Sequence, residues 1–289
     1  NFILFLLFII MNNIDSKYLK NSFILVGHTG YGKSTACKAL TGNEMIDISS
    51  GFHSSTNKVY YYPGTLSDID EKIYFTVVDT PGLDDSEGRD KKFYEDLRFI
   101  LQTRDMEVKG IFIVFNFQMT RFGKSEKEIL DKIINLVPIK NLWKYITILV
   151  THFYANNPKK LEKKKNEFIA GIREIFEKEY FEKYFLKYGI IGKFEDINLV
   201  FTDFDEEDTN IEQTKEITKI IEKSVKKDSL FQSCCTEVND NVRVIDFIDS
   251  TQNRAILYKC KIKTIKYNGQ NGKILNEIRI IESKIKKKK

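Results

Sequence analysis

The sequence has only four cysteines and three histidines, and neither set shows a metal-ligand spacing, since there is no CxxC pair and no HxxxH pair. A zinc ribbon or a disulfide scaffold is not expected on that ground, and a reducing compartment is the default setting. Long apolar runs are also missing. The longest, Phe2 to Met11, covers ten residues where a membrane-spanning helix needs about 20. A polytopic membrane protein is excluded, and this run can anchor or target at most. It lacks the basic flank and small-residue cleavage site of a secretory signal. The functional chain is expected to begin near Met11, and what precedes it is either an extended reading frame or a membrane-directed segment. Internal repeats are absent.

At 289 residues, 42% hydrophobic and 30% charged, the chain has the apolar content of a globular protein and room for a sizeable core. Its net charge of +5 is unevenly placed. Residues 228–289 hold 13 Lys and Arg against 7 Asp and Glu, while residues 1–227 are near neutral. Because lysine is abundant throughout, the charge is read as background composition, and no nucleic-acid partner is expected.

From Ser22 onward short apolar runs alternate with amphipathic stretches. Phe23–Val26, Ile73–Val78, Ile111–Phe117, Ile146–Val150 and Ile197–Phe201 read as strands buried on both faces. Between and after them, helices are expected over Ser34–Leu40, Lys91–Leu101, Ser125–Leu136, Pro158–Phe185 and Ile211–Ser224. This alternation predicts a three-layer α/β fold with a mostly parallel central sheet. Past residue 227 the pattern changes to strands over Val242–Ile248, Ala255–Tyr267 and Lys273–Ile281, separated at Asn268–Gly272 by a turn. The expected division is an apolar segment 1–19, an α/β domain 20–227 and a small basic β-rich extension 228–289.

Directly after the first strand stands Gly27-His28-Thr29-Gly30-Tyr31-Gly32-Lys33-Ser34-Thr35, which fits GxxxxGK[ST]. In this P-loop motif backbone N–H groups wrap phosphates, Lys33 reaches the β- and γ-oxygens, and the Ser34 hydroxyl serves Mg²⁺. The run Ile73–Val78 ends in Asp79-Thr80-Pro81-Gly82. There the carboxylate of Asp79 is expected to hold Mg²⁺ through water, and the N–H of Gly82 to sense the terminal phosphate. Thr56, between the two motifs, is the candidate switch threonine on the metal. Cys37, among apolar neighbours, is expected to be a packed thiol.

With these elements in order, residues 20–227 resemble a G domain of the AIG type (avirulence-induced gene), shared by the GIMAP immunity-associated GTPases and related to chloroplast-envelope import GTPases and septins. Four stretches carry the resemblance: GHTGYGKST (27–35), VVDTPGLDD (77–85), FNFQMTRFGKSEKEIL (115–130) and ILVTHF (148–153). The resemblance implies binding of GTP and GDP, Mg²⁺, slow turnover, and self-association as a dimer or oligomer through the nucleotide face. It further implies that Arg121, in the third stretch, reaches a partner's nucleotide. The expected setting is cytoplasmic, with membrane association left open. The guanine-reading motif departs from the usual [NT]KxD: it is Thr151-His152-Phe153-Tyr154, with tyrosine at the acidic position. His152 is expected to stack on the base, beside Thr151, and Asp203 is expected to supply the missing carboxylate. No glutamine occurs in residues 79–92 to orient an attacking water, which implies weak intrinsic hydrolysis. A GTP-dependent scaffold with negligible turnover is the second reading.

Overall fold

The computed structural model describes residues 16–46, 59–67, 72–82, 97, 100, 106–118, 122–137, 139, 141–154, 157–204, 211–227, 230, 237–249, 254–268 and 274–285. Thr56, Arg121 and most of the helix expected over Lys91–Leu101 lie outside them.

A six-stranded sheet forms the centre, in the order β2-β3-β1-β4-β5-β6. Its strands are β1 (Ser22–Gly27), β2 (Tyr60–Ser67), β3 (Lys72–Asp79), β4 (Val108–Asn116), β5 (Ile146–Thr151) and β6 (Asn198–Phe201). Every pairing is parallel except that of β2 with β3. Side chains alternate across a strand, so each apolar run feeds both faces. Ile24 and Val26 enter one core with Ile113, Ile148, Ile133 and Phe176, while Phe23 and Leu25 enter the other with Phe75, Phe112, Cys37 and Ile221. Burial pushes the Cys37 thiol well above its ordinary range, which leaves it protonated and inert, as expected of a packed cysteine.

Helices cover both faces. Among the described residues they include, in chain order, α1 (Ser16–Leu19), α2 (Lys33–Thr41), α3 (Lys124–Leu136), α4 (Pro158–Ile175), α5 (Glu182–Tyr188) and α6 (Ile211–Val225). Helix α4 starts on an Asn157 cap with Pro158 in its first turn, where a missing N–H costs nothing. It does not run to Phe185 unbroken. A π-helical turn, Phe176–Phe181, separates it from α5.

That turn sits where two helices are laced together. Lys127 and Glu179 pair at 2.7 Å. Asp131 accepts from Tyr184 Oη at 2.6 Å and pairs with Lys183 at 3.2 Å. Asn135 Oδ1 accepts from Lys187 at 3.0 Å and from the Tyr188 hydroxyl. Both partners advance by four residues at each step, so α3 and α5 run parallel with one helical row facing another.

The C-terminal strands are β7 (Glu237–Asp249), β8 (Arg254–Asn268) and β9 (Ile274–Ile285), which form a separate antiparallel sheet. Among the described residues no helix is long and apolar enough to cross a membrane.

Candidate functional site

The phosphate loop joins β1 to α2 at the carboxyl end of the sheet, where ligands collect in open α/β folds. Gly32 lies at φ 81° immediately before α2, a backbone conformation that costs other residues a steric penalty. A Cβ there would also approach His152 and Thr151 at 3.5–3.6 Å. The loop therefore lies within van der Waals reach of the His152 segment. Gly82 is closer still: a Cβ on it would stand 2.0 Å from Thr29 Oγ1 and 2.5 Å from the Thr29 backbone. The turn after β3 thus rests directly on the loop, and Thr80 secures it by donating to Leu25 O at 2.6 Å.

Lys33 is buried, and its Nζ donates to Gly27 O at 3.1 Å and His28 O at 2.8 Å. Burial lowers its pKa to about 8, against the opposing pull of Asp79. Ser34 Oγ donates to Asp79 Oδ2 at 2.7 Å. A hydroxyl and a carboxylate brought together in this way are the hard oxygen donors that Mg²⁺ takes alongside phosphate oxygens, so the residues present fit that ion.

Two side chains of the loop face away from the phosphate position. Tyr31 Oη donates to Glu126 Oε1 at 2.8 Å, and His28 Nε2 lies 3.6 Å from the same oxygen. The other oxygen of Glu126 accepts the Gly123 N–H at 2.8 Å, so one buried carboxylate joins the loop to the start of α3.

Beside the loop opens a cavity of about 460 Å³ lined by Gly32, Thr35, Thr151, His152, Tyr154, Asp203 and Phe204. Strands β5 and β6 deliver its walls, because their parallel register pairs Val150 with Phe201 and the residues that follow leave the sheet side by side. Thr151 Oγ1 lies 2.7 Å from Tyr31 O, 2.9 Å from Phe115 O and 3.0 Å from His152 Nδ1. With its single proton directed to the carbonyls, this hydroxyl accepts from Nδ1–H, which leaves Nε2 as the acceptor of the neutral ring. His152 is the one residue other than glycine with positive φ, 53°, among those described. That conformation costs a side-chain-bearing residue roughly 1–2 kcal/mol. Burial lowers its pKa, and Asp203 partly offsets the shift. Beneath it Phe117, Phe153, Phe168 and Phe201 pack with ring centroids 5.0–6.2 Å apart.

The structure therefore gathers Gly27, His28, Thr29, Gly30, Tyr31, Gly32, Lys33, Ser34, Thr35, Asp79, Gly82, Thr151, His152 and Asp203 at one end of the sheet. The Thr151 hydroxyl faces a loop carbonyl, and the Tyr31 and His28 rings face Glu126. Glu126 and Gln118 also pack at this end of the sheet, against the phosphate loop and the His152 turn. Their presence in residues 115–130 was the only signal of this in the sequence, and neither has a side chain whose partners are readable from spacing.

Comparison with known proteins places this arrangement. No curated protein matches the chain. Among solved structures it is similar to the chloroplast translocon components atToc33 and psToc159, proteins for whose GTPase activity dimerization is important. The TM-score is 0.53 at 14% identity, over 72% of this chain and 84% of that one. It is also similar to the bacterial selenocysteine-specific elongation factor EF-Sec, with a TM-score of 0.46 at 13% identity, over 83% of this chain and 34% of that one. At these identities the likeness is one of fold. Residues 21–242 match the AIG1 family, well over half of the chain, and the chain accordingly belongs to the AIG1 family as a GTP-binding protein with a P-loop G domain.

Proposed function

We propose that this protein is a slow, Mg²⁺-dependent GTPase that works as a dimerising molecular switch. The observation that carries the reading is the convergence of Lys33, the Ser34–Asp79 pair and the His152–Asp203 cavity on one rim.

Mg²⁺, when bound, neutralises charge on the β- and γ-phosphates. Lys33 supplies a second positive charge, which in the structure is turned onto two loop carbonyls. Binding therefore exchanges those acceptors for phosphate oxygens, and the desolvated ammonium gains a full counter-charge. Ser34 and Asp79 hold the cation, and the Gly82 turn, already against Thr29, senses the terminal phosphate. Neutral His152 stacks on the base, and Asp203 accepts its N1–H and N2–H. Thr56 completes the metal site in the triphosphate state.

Slow turnover is supported by the lack of a glutamine in residues 79–92. A cationic finger is worth about 10³–10⁵ in kcat where one is used, and Arg121 of a second copy supplies it. The dimer dependence of the translocon GTPases supports that arrangement. The unpatterned cysteines support a cytoplasmic setting. The missing glutamine also favours a second reading, a GTP-dependent scaffold at a membrane. Single-turnover hydrolysis across protein concentration separates the two. A rate that rises with concentration in wild type but not in Arg121→Ala supports the switch, whereas a flat, near-zero rate supports the scaffold.

A further inference from the structure

Gln118 lies two residues past the end of β4, exposed at the foot of the base cavity but not lining it. Its side-chain nitrogen stands 2.8 Å from His152 O and 3.1 Å from Tyr154 O. Both partners are carbonyls, which only accept, so the amide must present its NH₂ to both. Its own backbone is fixed, because Gln118 N donates to Asn116 Oδ1 at 2.9 Å. The preceding residue is fixed as well: Phe117 N donates to Thr151 O at 2.9 Å, and the Phe117 ring packs on Phe153 and Phe201.

What this amide holds is the strained part of the cavity wall. His152 has a left-handed backbone, and such a conformation persists only where its surroundings over-determine it. Tyr154 N to His152 O at 3.0 Å and Phe153 N to Thr202 O at 3.2 Å close the turn from within and from β6. The Gln118 clamp adds the connection to β4. Released, the peptide between Thr151 and Phe153 would relax toward the right-handed region and swing the imidazole off its present line beside Gly32, 3.5 Å from a Cβ built there. The phosphate loop, held by Lys33, Ser34 and Glu126, would keep its shape.

We propose that Gln118 is a positioning residue for base discrimination: by holding the 152–154 turn, whose Phe153 N donates to Thr202 O next to Asp203, it keeps the stacking His152 and the guanine-reading carboxylate in register without touching the nucleotide. The proposal rests on the reading of the cavity as a guanine site. It explains why a polar residue within residues 115–130 points toward the base loop, whereas Glu126, further along, points to the phosphate loop.

The test measures GTP and ATP affinity of the full chain with Mg²⁺ in wild type, Gln118→Leu, Gln118→Glu and Gln118→Lys, together with Tm. Losing two neutral hydrogen bonds at an exposed position should weaken GTP about 5- to 20-fold in Gln118→Leu, with ATP, which shares the stacking but not the contacts to Asp203, weakened less. Gln118→Glu, which sets a carboxylate against two carbonyls, should lose at least as much. Gln118→Lys retains donors and should recover most of the preference. A wild-type GTP preference kept intact in both Gln118→Leu and Gln118→Glu overturns the proposal and leaves the guanine reading standing. Parallel losses of GTP and ATP with a lower Tm overturn it too, since they mark a purely structural role. Equal affinities in wild type overturn the guanine reading and this proposal together.

Discussion

Ser34 Oγ donates to Asp79 Oδ2 across 2.7 Å, joining the residue after the phosphate-loop lysine to the end of β3. Two motifs 45 residues apart in sequence thereby form one oxygen pair before any ligand arrives. Ser34→Asn and Asp79→Asn should each weaken Mg²⁺-dependent GTP binding by roughly tenfold or more, because each removes a donor of the hard cation's site. Titration with and without EDTA checks this. The variants should match wild type once Mg²⁺ is removed, and a loss of equal size without the metal would assign the pair a purely structural role.

Asp203 stands on the cavity wall, close enough to His152 to oppose its loss of basicity. If its carboxylate accepts from guanine, Asp203→Asn sets an NH₂ against the 2-amino group, and GTP should weaken by about 5- to 150-fold, the range of a bidentate base contact. The same amide can donate to the 2-oxo group of xanthine, so XTP should bind the variant better than wild type. Competition binding with both nucleotides decides it, and comparable losses for the two would move base reading to another group.

His152 predicts a pH effect of definite sign. Burial lowers its folded-state pKa below 6.5, and Asp203 offsets part of the shift. The unfolded chain therefore binds the proton first as pH falls below about 6.5, and stability declines from there down to the folded pKa, with no contribution above that window. Asp203→Asn removes the offset and should steepen the decline, while His152→Asn should abolish it. Urea midpoints between pH 5 and 7.5 measure the three slopes, and an identical profile in His152→Asn would assign the acid sensitivity elsewhere.

Asp131 carries the middle rung of the α3–α5 ladder, accepting from the buried Tyr184 at 2.6 Å. Asp131→Ala deprives that hydroxyl of its partner and should cost about 1–2 kcal/mol. Lys183→Met removes a half-exposed ion pair and the ammonium's contacts with the Tyr180 and Tyr184 rings, and should change stability by less than about 1 kcal/mol. Chemical denaturation distinguishes the two.

The parallel strands were legible because each is an apolar run fed to two cores, and the phosphate loop because glycine, lysine and serine stand at fixed spacing. Strand β2 was missed. It carries Pro63 and Gly64, both unusual in a strand, and it is tolerated as the antiparallel edge, where the Phe75 ring lies over Gly64 so closely that a Cβ would stand 2.4 Å from it. The π-helical turn at Phe176–Phe181 was missed because the apolar stripe of α4 continues through it, with Phe176 and Tyr180 both buried. At the site, the meeting of Asp79 with Ser34 could be expected from chain order alone. The clamp of Gln118 on His152 could not, since it depends on a left-handed backbone at a residue type with no strong preference for it.

A nucleotide site built on Lys33 can be checked by calorimetric titration of the full chain with GTP, GDP and ATP in Mg²⁺. Lys33 supplies the only side-chain ammonium within Gly27–Thr35. Wild type should bind GTP and GDP in preference to ATP, and Lys33→Ala should lose triphosphate binding while keeping its thermal transition. Unchanged GTP affinity in a folded Lys33→Ala would rule out a phosphate site built on this lysine.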